Sequence, residues 1–200
     1  MIPVPPATEI AASIYGAWRL ARRDPKGLEF FNRTLEGFWR SFFAAVVVAP
    51  GYLVIVGLTF VQRPPDAGLG RVVLVMSITY VIKWVAFPVV MYHLAPTFDR
   101  QHRYLDFIVA WNWSQVIVIL ALLPIGLMNF GEVMPEALIG LLWLFVMILL
   151  LAYGWYIATV ALQINGWLAT GLLALYLFLE ILIETSTNGM IYLSAASGAS

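Results

Sequence analysis

The sequence predicts an all-α integral membrane protein, a five-transmembrane-helix bundle with an N-terminal amphipathic helical arm. Three observations carry that prediction. Hydrophobic residues make up 62% of the 200-residue chain and charged residues only 11%, against roughly 25% charged in an ordinary soluble domain. So few charges cannot cover the exterior of a soluble protein this size, which makes lipid the solvent for most of its surface. Five apolar runs, moreover, approach or exceed the roughly 20 residues that cross a bilayer. Finally, the basic residues are lopsided: Arg19, Arg22, Arg23, Lys26, Arg33 and Arg40 all precede residue 41, and none follows Arg103. Such asymmetry is an orientation signal.

The arm comes first and covers residues 1–40. Thr8 is placed to cap a helix from Glu9 to about Arg23, with Ile10, Ile14, Ala17, Trp18 and Ala21 along one face. Arg19, Arg22 and Arg23 project elsewhere, so the segment reads as an interfacial amphipathic helix. Together with Lys26 they form a candidate membrane-surface anchor for anionic headgroups; a docking surface for a cytoplasmic partner is a compatible alternative. Asp24-Pro25-Lys26-Gly27 signals a turn. A second helix is then expected, with Leu28, Phe31, Leu35, Phe38 and Phe42 on one stripe. The pairs Glu29–Arg33 and Glu36–Arg40 should support its other side, and it should run straight into the first span.

The bundle is expected over 41–188. Its spans cover about 41–61, 72–95, 105–128 and 137–161, and a fifth runs from Trp167 to at least Ile183. Connections are short, which predicts that consecutive helices are antiparallel neighbours. Residues 189–200 form a tail on the outer side. With the N-terminus inside, one side holds the six basic residues of the arm plus Arg100 and Arg103, and the other holds Arg63 and Arg71. The positive-inside rule then puts the N-terminus in the cytoplasm and the C-terminus in the periplasm of a bacterial inner membrane. The first apolar run begins near Phe42, too deep for a signal-peptide core, so the N-terminus is expected to be retained.

Within the spans, Lys83 is the most informative residue. An ammonium near mid-membrane costs about 2.5–3.5 kcal/mol on insertion scales, so something should offset it. Glu180 and Glu184 share one face of the fifth span at i,i+4 spacing. A Lys83–Glu180 ion pair is expected, with Glu184 nearer the outer interface. The readings of the pair are that it sets helix register, that it relays a proton or substrate, or that Lys83 snorkels or contacts lipid. Asn112 and Gln115 share a face of the third span, for helix–helix hydrogen bonds, and the flanking Trp111 and Trp113 suit an interfacial belt. Lys83, Glu180, Glu184, Asn112 and Gln115 together form the candidate intramembrane polar site. Pro50-Gly51 and Pro88 are candidate kinks, read here as ordinary packing features.

No catalytic, cofactor or metal site is expected. The chain has no cysteine, and His93 and His102 lack metal-ligand spacing. The zinc-protease, nucleophile-elbow, P-loop and dinucleotide signatures do not occur. No folded basic surface would remain for nucleic acid.

Thr8-Glu9-Ile10, then Ile14-Tyr15-Gly16-Ala17-Trp18-Arg19-Leu20-Ala21-Arg22 and Gly37-Phe38-Trp39-Arg40-Ser41-Phe42, resemble the opening of an uncharacterised group of small alphaproteobacterial inner-membrane proteins. The layout of a cytoplasmic arm and five spans is similar to that of Yip1-like membrane proteins. Their aspartate- and glycine-containing motifs have no counterpart here, so no functional residue is carried over. The resemblance implies membrane organisation through protein partners. The expected function is therefore a non-enzymatic scaffold, accessory subunit or assembly factor, with a membrane-protein partner or a homo-oligomer. The alternative is a small oligomeric transporter or channel with a Lys83/Glu180 polar path.

Overall fold

A computed structural model describes residues 4–192, and within them five helices are long and apolar enough to cross a membrane. The arm comprises α1 (Ala7–Ala21), a 3-10 turn at Pro25–Phe30 and α2 (Leu35–Ser41). The long helices are α3 (Phe43–Gln62), α4 (Leu69–Leu94), α5 (Tyr104–Phe130), α6 (Glu136–Leu162) and α7 (Gly166–Ile191). α3, α4 and α5 run on through Pro50, Pro88 and Pro124. α7 extends past Asn188 to Ile191, so the expected tail boundary at 189 falls inside the helix.

The ends of the elements follow local chemistry. Asp24 caps the 3-10 turn by accepting from the Lys26 amide, and Thr34 caps α2 by accepting from Gly37. Each satisfies a backbone donor left open at a helix start. Gln163 closes α6 in the left-handed conformation at φ 53°, and Asn165 caps α7 two residues later through the Leu168 amide. The expected Thr8 cap is not formed. Pro6 occupies the N-cap position without a side-chain bond, and Thr8 lies inside α1.

α5 is the centre of the molecule. Every residue from Phe107 to Ser114 is buried, so this half of the helix faces protein on all sides. α3 and α6 pack along it, while α7 lies between α4 and α6. The expectation that consecutive spans are neighbours holds for α5–α6 and α6–α7 but fails for α3 and α4. Their backbones stand apart and are bridged by side chains: Tyr52 and Tyr80 rings lie 4.8 Å apart, and the Tyr80 hydroxyl donates to the Ala45 carbonyl at 2.6 Å. A short loop limits how far two helices can diverge, but packing energy chooses the partner, and α3 buries more against α5.

The arm is a structural part of the bundle. α1 buries Ser13, Gly16, Ala17 and Leu20, spaced i, i+3, i+4 and i+7, against the 3-10 turn, α5 and α6. The Tyr153 hydroxyl on α6 donates to the Ala17 carbonyl at 2.8 Å. Trp18, expected on the apolar face, is instead 51% exposed. Gly16 and Gly27 allow α1 and the 3-10 turn to touch backbone to backbone. A Cβ on Gly27 would come within 2.6 Å of the Gly16 carbonyl oxygen.

The second expected helix is shorter than its stripe suggested. Residues 31–34 are not helical, Leu35 is 63% exposed, and α2 is separated from α3 only by Phe42. Arg40 pairs with Glu36 as expected, at 2.7 Å, and also with Glu9 at 2.9 Å. Arg33 reaches Asp106 at 3.4 Å rather than Glu29, because the break after Phe30 removes the helical i,i+4 geometry. These pairs tie the arm to itself and to the start of α5.

Candidate functional site: a polar chamber within the bundle

The seam between α4 and α7 is built from residues one helical turn apart on each side. Thr79, Lys83 and Phe87 on α4 meet Thr187, Glu184, Glu180 and Tyr176 on the antiparallel α7. The Thr79 and Thr187 hydroxyls lie 2.8 Å apart, and both residues are buried. One turn further, Lys83 Nζ is 3.2 Å from Glu180 Oε2 and 2.9 Å from Glu184 Oε2. Next, the Phe87 and Tyr176 rings meet edge to face at 5.2 Å.

The ammonium is thus held between two carboxylates, where the sequence suggested one. Lys83 and Glu180 side chains are 23% and 29% exposed, while Glu184 is 55% exposed and sits closer to the far end of α7. Two acids against one base leave the trio with an excess of carboxylate.

The other members of the predicted polar site come in from α5. Asn112 is buried, and its Nδ2 donates to Ser41 Oγ at 2.9 Å, which in turn donates to the Phe38 carbonyl at 2.7 Å. Gln115 Nε2 donates to the Trp111 carbonyl at 3.4 Å. Asn112, Gln115, Lys83 and Glu180 all line one cavity of about 230 Å³ between α3, α4, α5 and α7. That is well above the ~10–15 Å³ that admits a single water. Glu184 does not line this space; it holds Lys83 from the side.

Sequence reasoning missed the aromatic walls. Tyr52, Tyr80, Trp84, Trp111 and Tyr176 complete the chamber. Tyr80 and Trp84 flank Lys83 at i−3 and i+1, and Tyr176 precedes Glu180 by one turn, a spacing visible in the sequence. Trp111 and Trp113 are 7% and 2% exposed, so they belong to the core and not to an interfacial belt. Among the described residues, the Tyr52 and Tyr176 hydroxyls have no hydrogen-bond partner.

Two further spaces adjoin the chamber. Trp111, Gln115, Tyr176 and Glu180 also line a cavity of about 260 Å³ between α5, α6 and α7. On the other side, Tyr52 and Tyr80 form one end of an apolar crevice of about 740 Å³ between α3 and α4.

The predicted surface anchor is split. Arg19 turns back onto Asp24 and lies over the Phe30 ring, 5.2 Å from its centroid. The Arg19 guanidinium holds the Asp24 carboxyl below its ordinary range. Arg22, Arg23 and Lys26 are exposed, as is Trp18. No protein-family model, curated protein or solved structure matches this chain.

Proposed function

We propose that this chain is a non-enzymatic, multi-pass membrane protein that holds a ligand in the chamber between α4, α5 and α7, as the ligand-carrying accessory subunit of a larger membrane assembly. One observation carries the reading. The mid-span polar groups Lys83, Glu180, Asn112 and Gln115 have partners and still line an open space. A pair serving helix register alone would be packed shut, because an intramembrane charge is costly unless fully paired. Here the second carboxylate oxygen of Glu180, the Gln115 side-chain oxygen and the Tyr52 and Tyr176 hydroxyls have no partner among the described residues.

The assembly part of the reading draws on the arm. Trp18, Arg22, Arg23 and Lys26 present an exposed basic and aromatic face suited to anionic headgroups or a partner at the membrane surface. The orientation we favour puts that face in the cytoplasm of a bacterial inner membrane, on the basis of the basic residues at the arm end.

The test is purification of the tagged full chain in gentle detergent from its native host. A stoichiometric protein partner and a co-purifying small molecule are the expected results, and Lys83→Met with Glu180→Gln should reduce the small molecule. Recovery of the chain alone and without a bound molecule would overturn the proposal.

A second reading, a transporter, is favoured by Glu180 lining cavities on two sides. It requires flux in liposomes that Glu180→Gln abolishes while folding stays intact.

A further inference from the structure

We infer that the ligand of this chamber is a lipid-soluble quinone: its planar head sits between the chamber's aromatic walls, and its chain lies in the crevice between α3 and α4. The inference rests on the ligand-holding reading above and names the ligand class.

Three features select the class. The first is adjacency. Tyr52 and Tyr80 line both the chamber and the crevice, so the polar space and the apolar one meet at this tyrosine pair. The crevice is lined by side chains such as Leu53, Val56, Phe60 and Val73, and its volume of about 740 Å³ lies in the roughly 300–1,000 Å³ range of small-molecule sites. From Tyr80 to Leu69 it follows α4 for about 16 Å at ~1.5 Å per residue, about half the ~30 Å hydrocarbon core. A ligand with one polar end and one long apolar end fits this shape.

The second feature is depth. Lys83 and Glu180 lie near the middle of α4 and α7, so the polar end of the ligand must rest near the bilayer midplane. Phospholipids and fatty acids keep their charged heads at the interface, because a charge at mid-membrane is costly. The carboxylate excess around Lys83 further disfavours an anionic head. An uncharged head on a molecule that dissolves in the hydrocarbon core has neither obstacle.

The third is the chemistry of the walls. Tyr52, Trp84, Trp111 and Tyr176 offer faces and edges for stacking a flat ring. The hydrogens without a partner among the described residues are those of the Tyr52 and Tyr176 hydroxyls, both donors suited to ring carbonyls. Acceptors paired with aromatic stacking describe a quinone head better than a simple alcohol.

The experiment titrates decylubiquinone into the detergent-purified full chain and follows tryptophan fluorescence, which a quinone quenches at close range. Saturable quenching is expected. Ala49→Phe, which fills the crevice without altering a charged residue, should weaken it at least tenfold. Tyr52→Phe, which keeps the ring and removes one donor, should weaken it several-fold. Quenching that rises without saturation, equally in wild type and both variants, would sink the proposal. Mass spectrometry of the small molecules retained by the native preparation separates the two levels of inference. A retained quinone supports both; a different retained molecule overturns the quinone and leaves the chamber reading standing; an empty extract with no saturable titration overturns both.

Discussion

Lys83 Nζ on α4 lies 3.2 Å from Glu180 Oε2 on α7, and Glu184 approaches the same ammonium from the next turn at 2.9 Å. Lys83→Met leaves two carboxylates on α7 without a counter-charge. We expect a loss of about 2 kcal/mol, below the ~3–5 kcal/mol of a fully buried broken pair because these side chains are partly exposed. The triple variant Lys83→Met, Glu180→Gln, Glu184→Gln should recover most of it. Thermal unfolding in one detergent reads both, and a triple variant no better than the single would refute the pairing as the cause.

Ser41 and Asn112 form a buried hydrogen bond between the arm and α5. Ser41→Ala removes the acceptor and leaves the Asn112 amide unpaired in the core. The expected cost is about 1 kcal/mol, within the ~0.6–1.7 kcal/mol range measured for side-chain bonds in membrane bundles. Asn112→Ala in the Ser41→Ala background should add less than it does alone. A double-mutant cycle with no coupling would count against a direct bond.

Gly27 sits against the Gly16 carbonyl with no room for a side chain. Gly27→Leu must push α1 off the turn, at a cost of about 1–3 kcal/mol for overpacking. Amides in α1 should then exchange hydrogen roughly tenfold faster or more, with those in α6 near Met147 little changed. Uniform acceleration through the whole chain would show global unfolding instead.

Asp24 holds Arg19 and caps the turn that follows α1. Its carboxyl titrates below the ordinary 3.8 in the folded chain. A depressed acid stabilises the folded arm above its unfolded pKa, and that contribution is lost as pH falls through the folded value. Arm protection in hydrogen exchange should therefore be flat from pH 7 to about 5 and decline below pH 4, a range set by the ordinary Asp value. In Asp24→Asn the decline over that range should be smaller, and an identical decline would assign it to other groups.

Much of the architecture was legible in the sequence because its physics is one-dimensional. Span length follows from bilayer thickness, and the five apolar runs match α3 to α7 within a few residues at most ends. A mid-span ammonium demands a counter-charge, and only Glu180 and Glu184 were placed to supply it, which made Lys83 and Glu180 legible as partners. Helical spacing also put Asn112 and Gln115 on one face.

Tertiary structure decided which faces meet protein. Lipid tails are as apolar as leucine, so hydropathy cannot distinguish a span surface that faces lipid from one that faces another helix. Trp111 and Trp113 therefore read as belt residues and are in fact core. The arm shows the same limit: periodicity marked Ala17 and Trp18 as buried, yet close packing kept Ala17 and took Ser13 and Gly16 in place of Trp18, small residues that let backbones approach. The parting of α3 from α4, and with it the crevice beside the chamber, depends on α3 packing better against α5. That is a competition between surfaces far apart in sequence, and no local pattern encodes its outcome.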